Sequence, residues 1–233
     1  MAFDGLWRVR SGTLAVGVGV AATSVILAGC GGSSDNGEAK KTGPQVASDA
    51  ADAMKAAGAF HIAGTANEGG KPMSVDLQIQ NNDLSGKLTL DGASFNLIVV
   101  NGKAYIKGDT KFWTASGVPA QSAALISNRW VLAPSSTSAD FSQLTADGFA
   151  KEFKNPSDSA IQTTVRKAKV DGKNVVVVTQ KDGSELDVAA KGKPYPVRIS
   201  NKGESGALTF SGWGQTQPIN TPPSPLDLNN ISS

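Results

Sequence analysis

The chain has 233 residues, with 22 Lys and Arg against 20 Asp and Glu, a net charge of +2, one histidine and one cysteine. So balanced a charge argues against a nucleic-acid surface, which concentrates basic residues on one face. A single cysteine excludes an internal disulfide, and a single histidine excludes zinc sites built on paired histidines.

The N-terminal stretch sets the compartment. Arg8 and Arg10 precede an uncharged apolar run, Thr13–Ala28, which closes on Leu27-Ala28-Gly29-Cys30. Basic flank, apolar core and small residues before a fixed position are the layout of a secretory signal, and the run is shorter than the ~20 residues that cross a bilayer. Leu27-Ala28-Gly29-Cys30 resembles the lipobox of bacterial lipoproteins, in which the cysteine receives a diacylglyceryl thioether and becomes the new N-terminus. Residues 1–29 are therefore expected to be a signal peptide and Cys30 a lipid anchor, placing the chain on the outer face of the cell membrane. Two acyl chains make such anchoring stable, at about 0.8 kcal/mol for each buried CH₂.

The rest reads in order. Gly/Ser-rich residues 30–44 are expected to act as a flexible tether, residues 45–216 as one domain and the proline-bearing residues 217–233 as an extended or loose tail. Pro44–Ala57 is Ala-rich with helical spacing and ends at Gly58. From Phe60 the period becomes two. Met73, Val75, Leu77 and Ile79 alternate with polar residues, as do Leu84, Leu88 and Leu90, then Phe95, Leu97 and Val99, with turns at Asn81-Asn82-Asp83, Asp91-Gly92 and Asn101-Gly102. Lys103–Lys107 completes a five-strand meander. Lys111–Ala115 and Ala120–Ile126 read as short helices, Arg129–Leu132 as an extended piece, and Ser138–Phe153 as one helix or two broken at Gly148. Strands return at Thr163–Val170, Asn174–Thr179, Glu185–Val188, Pro196–Ser200 and Ala207–Ser211. The β-branched run Val175–Val178 suits burial on both faces. The predicted fold class is α+β: a strongly curved antiparallel sheet, a half-barrel, with helices covering its concave face.

Beyond the lipobox, the Asn101-Gly102-Lys103-Ala104-Tyr105-Ile106 hairpin, the Trp113 helix, Val131-Leu132-Ala133-Pro134 and the closing Leu208-Thr209-Phe210-Ser211-Gly212-Trp213-Gly214 resemble the LppX/LprA/LprF/LprG family of actinobacterial lipoproteins, and more broadly LolA/LolB-like half-barrels. The resemblance implies a protein that holds acyl chains of a lipid or glycolipid between sheet and helices, possesses no cofactor, and carries its ligand toward the envelope. RseB-like relatives imply an alternative, a protein-interaction or sensor module on the same scaffold.

The candidate ligand-facing residues are Met73, Val75, Leu77, Ile79, Leu88, Leu90, Phe95, Leu97, Val99, Trp113, Trp130, Phe141 and Leu144. Cavity lining and solid core demand the same residue types, so the pattern supports both. Any Ser/His/Asp triad has to use His61, which stands at a strand start, and no Gly-x-Ser-x-Gly elbow is present. Asp91, Asp171 and Asp182 precede glycine, where turn chemistry explains them. The expectation is a non-enzymatic protein with no metal, whose partners are the membrane, a lipid and an envelope protein.

Overall fold

A computed structural model describes residues 35–68, 70–135, 141–156, 159–201 and 205–227. The expected signal peptide, residues 1–29, and Cys30 lie outside them. Twelve strands form one open sheet: β1 Ala59–Glu68, β2 Lys71–Gln80, β3 Asp83–Leu90, β4 Ala93–Val100, β5 Lys103–Gly108, β6 Val131–Leu132, β7 Ile161–Val170, β8 Lys173–Gln180, β9 Ser184–Ala189, β10 Pro196–Asn201, β11 Ala207–Ser211 and β12 Leu226–Asp227. Their spatial order is β12-β6-β5-β4-β3-β2-β1-β11-β10-β9-β8-β7. The two meanders meet where β1 pairs with β11, and every pairing is antiparallel except β12 with β6. This is the curved half-barrel the alternation predicts.

Turn chemistry fixes the register of the first meander. Asn101 and Gly102 both have positive φ, 53° and 72°, and the same pairing of signs occurs at Asp91-Gly92 and Asp171-Gly172. Two consecutive positive φ values define the type I′ turn, whose twist matches that of the strands it joins. Asp182-Gly183 differs: only Gly183 is positive, and the Asp182 carboxylate accepts from Ser184 N at 2.9 Å.

Among the described residues four α-helices cover the concave side: α1 Gly43–Ala57, α2 Thr110–Ala115, α3 Ala120–Ile126 and α4 Ala146–Lys154. The first, α1, starts where Thr42 N donates to Gln45 Oε1 (3.0 Å) and ends at Gly58 in the left-handed region. Its buried face, Val46, Ala47, Ala50, Ala51 and Met54, lies over β7–β10. The alanines let the helix sit close to the sheet and to α4. Salt bridges Lys55–Asp147 (2.9 Å) and Lys154–Asp52 (2.6 Å) join the two helices at their solvent side. Being exposed, they hold orientation more than they add stability.

The break expected at Gly148 falls instead at Thr145, between a 3-10 turn at Phe141–Leu144 and α4. Thr145 Oγ1 accepts from Gly148 N (3.1 Å), so Gly148 occupies the first turn of the helix rather than an interruption of it.

The N-terminal end departs from the flexible tether expected, and the tail is held against the sheet. Residues 35–44 are docked. Asp35 bridges Lys191, Asn36 N donates to Ala190 O, and the Asn36 amide donates to Ala189 O (2.8 Å) and Gly192 O (3.1 Å). Lys41 then binds both Glu38 and Asp49. At the other end, the outward-facing amides of Gln78 and Gln80 donate to the carbonyls of Gln215 and Gln217. From there the chain leads past the outward side of β3–β5, where Val100 and Tyr105 are buried, to β12, whose Leu226 N donates to Trp130 O (2.7 Å). All of these contacts lie within 35–227, so a chain starting at Gly31 keeps every one of them.

The inward curve needs gaps in its lining. Gly64 and Gly86 occupy inward positions of β1 and β3, and a Cβ on either would lie 2.0 Å from a neighbouring strand carbonyl, Ala207 O or Asp76 O. Glycine in a strand interior marks such close backbone approach. Gly86→Ala is expected to lower stability by at least about 2 kcal/mol, read as a fall in Tm of roughly 4–8 °C. A melting curve matching wild type would remove the close approach as a constraint on curvature.

Candidate functional site

Register places the candidate residues in rows on one face. Met73 lies opposite Leu90, Val75 opposite Leu88 and Leu88 opposite Phe95, while Ile79 and Val99 flank Leu84. Leu77 and Leu97 stand on either side of Gly86. The rows continue into the second meander through Phe60, Ile62, Leu208 and Phe210. Met73, Val75, Leu77, Ile79, Leu88, Phe95, Leu97, Val99, Trp113, Phe141 and Leu144 all belong to one contiguous apolar cluster, none more than 7% exposed, and Leu90 packs against it half-buried.

Trp130 does not join them. It directly precedes β6, where Val131 is the inward residue at 2% exposure, so strand parity turns Trp130 the other way. Its described role is the backbone carbonyl that receives the tail.

Two aromatic blocks divide the interior. Phe95, Phe112 and Trp113 stack beneath α2, with centroids 4.5 and 5.0 Å apart. Phe60, Phe149, Phe153 and Phe210 meet beneath α4 in mostly edge-on contacts near 6 Å. Trp213 caps the second block, 5.2 Å from Phe60, and stacks on Tyr195 at 4.5 Å and 4°. The sequence signals for this second block were the helical spacing of Phe149 and Phe153 and the inward parity of Phe60 and Phe210, which the candidate set passed over.

Within this apolar interior one polar atom stands out. The indole Nε1 of Trp113 is buried, and among the described residues it is the buried side-chain donor without a hydrogen-bond partner. Desolvating such a donor without an acceptor costs about 1–3 kcal/mol. Asp109, whose carboxylate accepts from Phe112 N (2.6 Å), starts α2 and so fixes where Trp113 points.

The clefts bounded by described residues lie at the margins of this cluster. One of about 410 Å³ sits at the β7–β8–β9 corner, lined by Asp35, Lys167, Ala168, Lys169, Asn174, Val175, Ala190 and Lys191. Another, about 290 Å³, lies at the sheet end along Thr65, Ser74 and Thr89, and Met73 is the one candidate residue that lines it.

The outward face is polar and paired. His61 Nε2 lies 2.8 Å from Asp76 Oδ1, and Ser211 Oγ lies 3.5 Å from His61 Nδ1. Folding thus brings a serine and an aspartate to the histidine, although the serine contact exceeds the ≈ 2.6–3.2 Å of an activated nucleophile and the His61 and Asp76 side chains are 35% and 73% exposed. Cross-strand polar pairing explains the three residues. Among the described residues no three His, Cys, Asp or Glu side chains gather as a metal site, and no helix is long and apolar enough to cross a membrane.

Further along the same face, Asp187 is fully buried beside Val177, with Arg198 Nε donating to its Oδ2 at 2.7 Å. Burial raises the Asp187 pKa, outweighing the opposing pull of Arg198. The native state therefore holds this proton more tightly than the unfolded chain. Its contribution to stability is full below the unfolded value of about 4 and declines as pH rises through the raised native value. Asp187→Asn is expected to remove that decline, so Tm measured upward from pH 4 would lose less in the variant than in wild type. Parallel pH profiles would disprove the assignment.

The sequence matches no protein-family model and no curated protein. Among solved structures the chain is similar to LprF from Mycobacterium bovis, with 17% identity, a TM-score of 0.53, and coverage of 78% of this chain and 99% of that one. At that identity the likeness establishes the fold.

Proposed function

From the fold shared with LprF, we propose that the chain is an envelope lipoprotein, anchored through Cys30 to the outer face of the cell membrane, that binds the acyl chains of a lipid or glycolipid between its sheet and helices and carries them across the envelope. The observation that carries this reading is the interior itself: one unbroken apolar cluster spanning sheet and cover, with a single unpartnered indole N–H inside it among the described residues. Transfer of hydrocarbon from water into such surroundings supplies about 25 cal/mol per Å², so binding requires no catalytic group. The ester carbonyl at the head of an acyl chain is an acceptor that suits Trp113, and a charged or sugar headgroup stays in water.

Native mass spectrometry of the Gly31–Ser233 chain, purified from its own host, is expected to show a bound lipid. Trp113→Phe preserves the packing and removes the donor, and is expected to weaken retention of an ester-linked lipid by roughly five- to tenfold, the net worth of one hydrogen bond. A specific observation favours the second reading, an interaction or sensor module: the interior side chains are already in contact with one another. If no lipid is retained by either protein and crosslinking on intact cells captures an envelope protein, that reading replaces the first.

The anchor is tested separately. The wild-type protein is expected to begin at a lipid-modified Cys30, whereas Cys30→Ala stays at precursor length without the modification. An identical N-terminus in both would remove the anchor from the proposal.

A further inference from the structure

The lysine-lined cleft at the β7–β8–β9 corner is the strongest feature the interior does not use. Lys167, Lys169 and Lys191 line it together with Asp35, Asn174 and Ala190, and register sets Lys167 opposite Val176 and Lys169 opposite Asn174, on the inward side of the sheet edge. Lys167 Nζ lies 4.0 Å from Asp35 Oδ2, the nearest opposing charge. Among the charged residues of the lining, three lysines stand against one aspartate.

The position of the chain's entry gives this patch its occupant. Asn36 is clamped by two side-chain hydrogen bonds to Ala189 O and Gly192 O, at the margin of the cleft. Asp35 is five peptide units from Cys30, a span of no more than about 18 Å fully extended. A lipid on Cys30 therefore holds this corner, out of the whole surface, nearest the headgroups.

We propose that the Lys167/Lys169/Lys191 cleft docks on the anionic phospholipid surface of the membrane and fixes the domain's orientation there. The location rests on the lipoprotein reading above, but the affinity does not, because the patch is present without the anchor.

The test uses the Gly31–Ser233 chain, which carries neither signal nor cysteine, in cosedimentation with vesicles of phosphatidylcholine with and without phosphatidylglycerol. Binding is expected only with phosphatidylglycerol and is expected to fall as salt rises. Each lysine near an anionic surface strengthens binding about fivefold, so the triple variant K167Q/K169Q/K191Q should bind on the order of 100-fold more weakly. A second triple, K87Q/K103Q/K107Q, removes the same charge from β3 and β5 and should bind like wild type, with melting curves confirming that both variants fold. A fluorophore on Asn174→Cys should shift to the blue on the vesicles, while one on Lys87→Cys should not. Equal binding to neutral vesicles, an unaffected first triple, or equal losses in both triples would each overturn the proposal. Loss of the anchor in cells would leave these vesicle results standing, so the two failures are distinguishable.

Discussion

The structure depends on covering one face of one sheet. Alternation along β1–β5 and β8–β11 sends Ile62, Leu77, Leu97, Val178, Leu186 and Leu208 to the same side, where each is at most 2% exposed. At about 25 cal/mol per Å² that burial is the dominant favourable contribution, and it is realised only if helices close over the concavity. The alanine face of α1, the phenylalanines of α4 and the Phe112-Trp113 pair of α2 are that closure. The glycines at positions 64 and 86 let the strands bend toward it.

Much of this was legible because its signals are local. Period-two alternation marked the strands to within a few residues, and Asn-Gly or Asp-Gly pairs marked the turns. Val175–Val178 was readable as buried on both sides, and the structure sends Val176 and Val178 inward and Val175 and Val177 outward. What escaped was order imposed from far away. Asn36 finds its partners 153 and 156 positions downstream, and Gln78 and Gln80 hold the tail from 137 positions upstream. Gly/Ser or proline composition carries no trace of such bonds. Trp130 failed as a candidate for another reason: residue type suggested the interior, but the parity of a two-residue strand decided otherwise. The meeting of His61 with Asp76 and Ser211, 15 and 150 positions away, was likewise invisible in the sequence.

The two faces divide the work. The inner one is largely hydrocarbon, with buried Gln180 and Ser184 in its β8 and β9 rows and an indole N–H that meets no acceptor among the described residues. The outer one carries paired charges, including Arg166–Glu185 and Arg198–Asp187, while the lysine corner lies at the sheet edge beside the chain's point of arrival.

A sheet left open has two unsatisfied borders, and each is sealed by a different device. On one side, among the described residues, β12 lays two residues parallel against β6. On the other, the ten-residue β7 would be an inviting docking rail were it not studded with Arg166, Lys167 and Lys169. Charge on a free border discourages strand addition. A half-barrel treated this way is discouraged from adding the strands of another copy along its open edge.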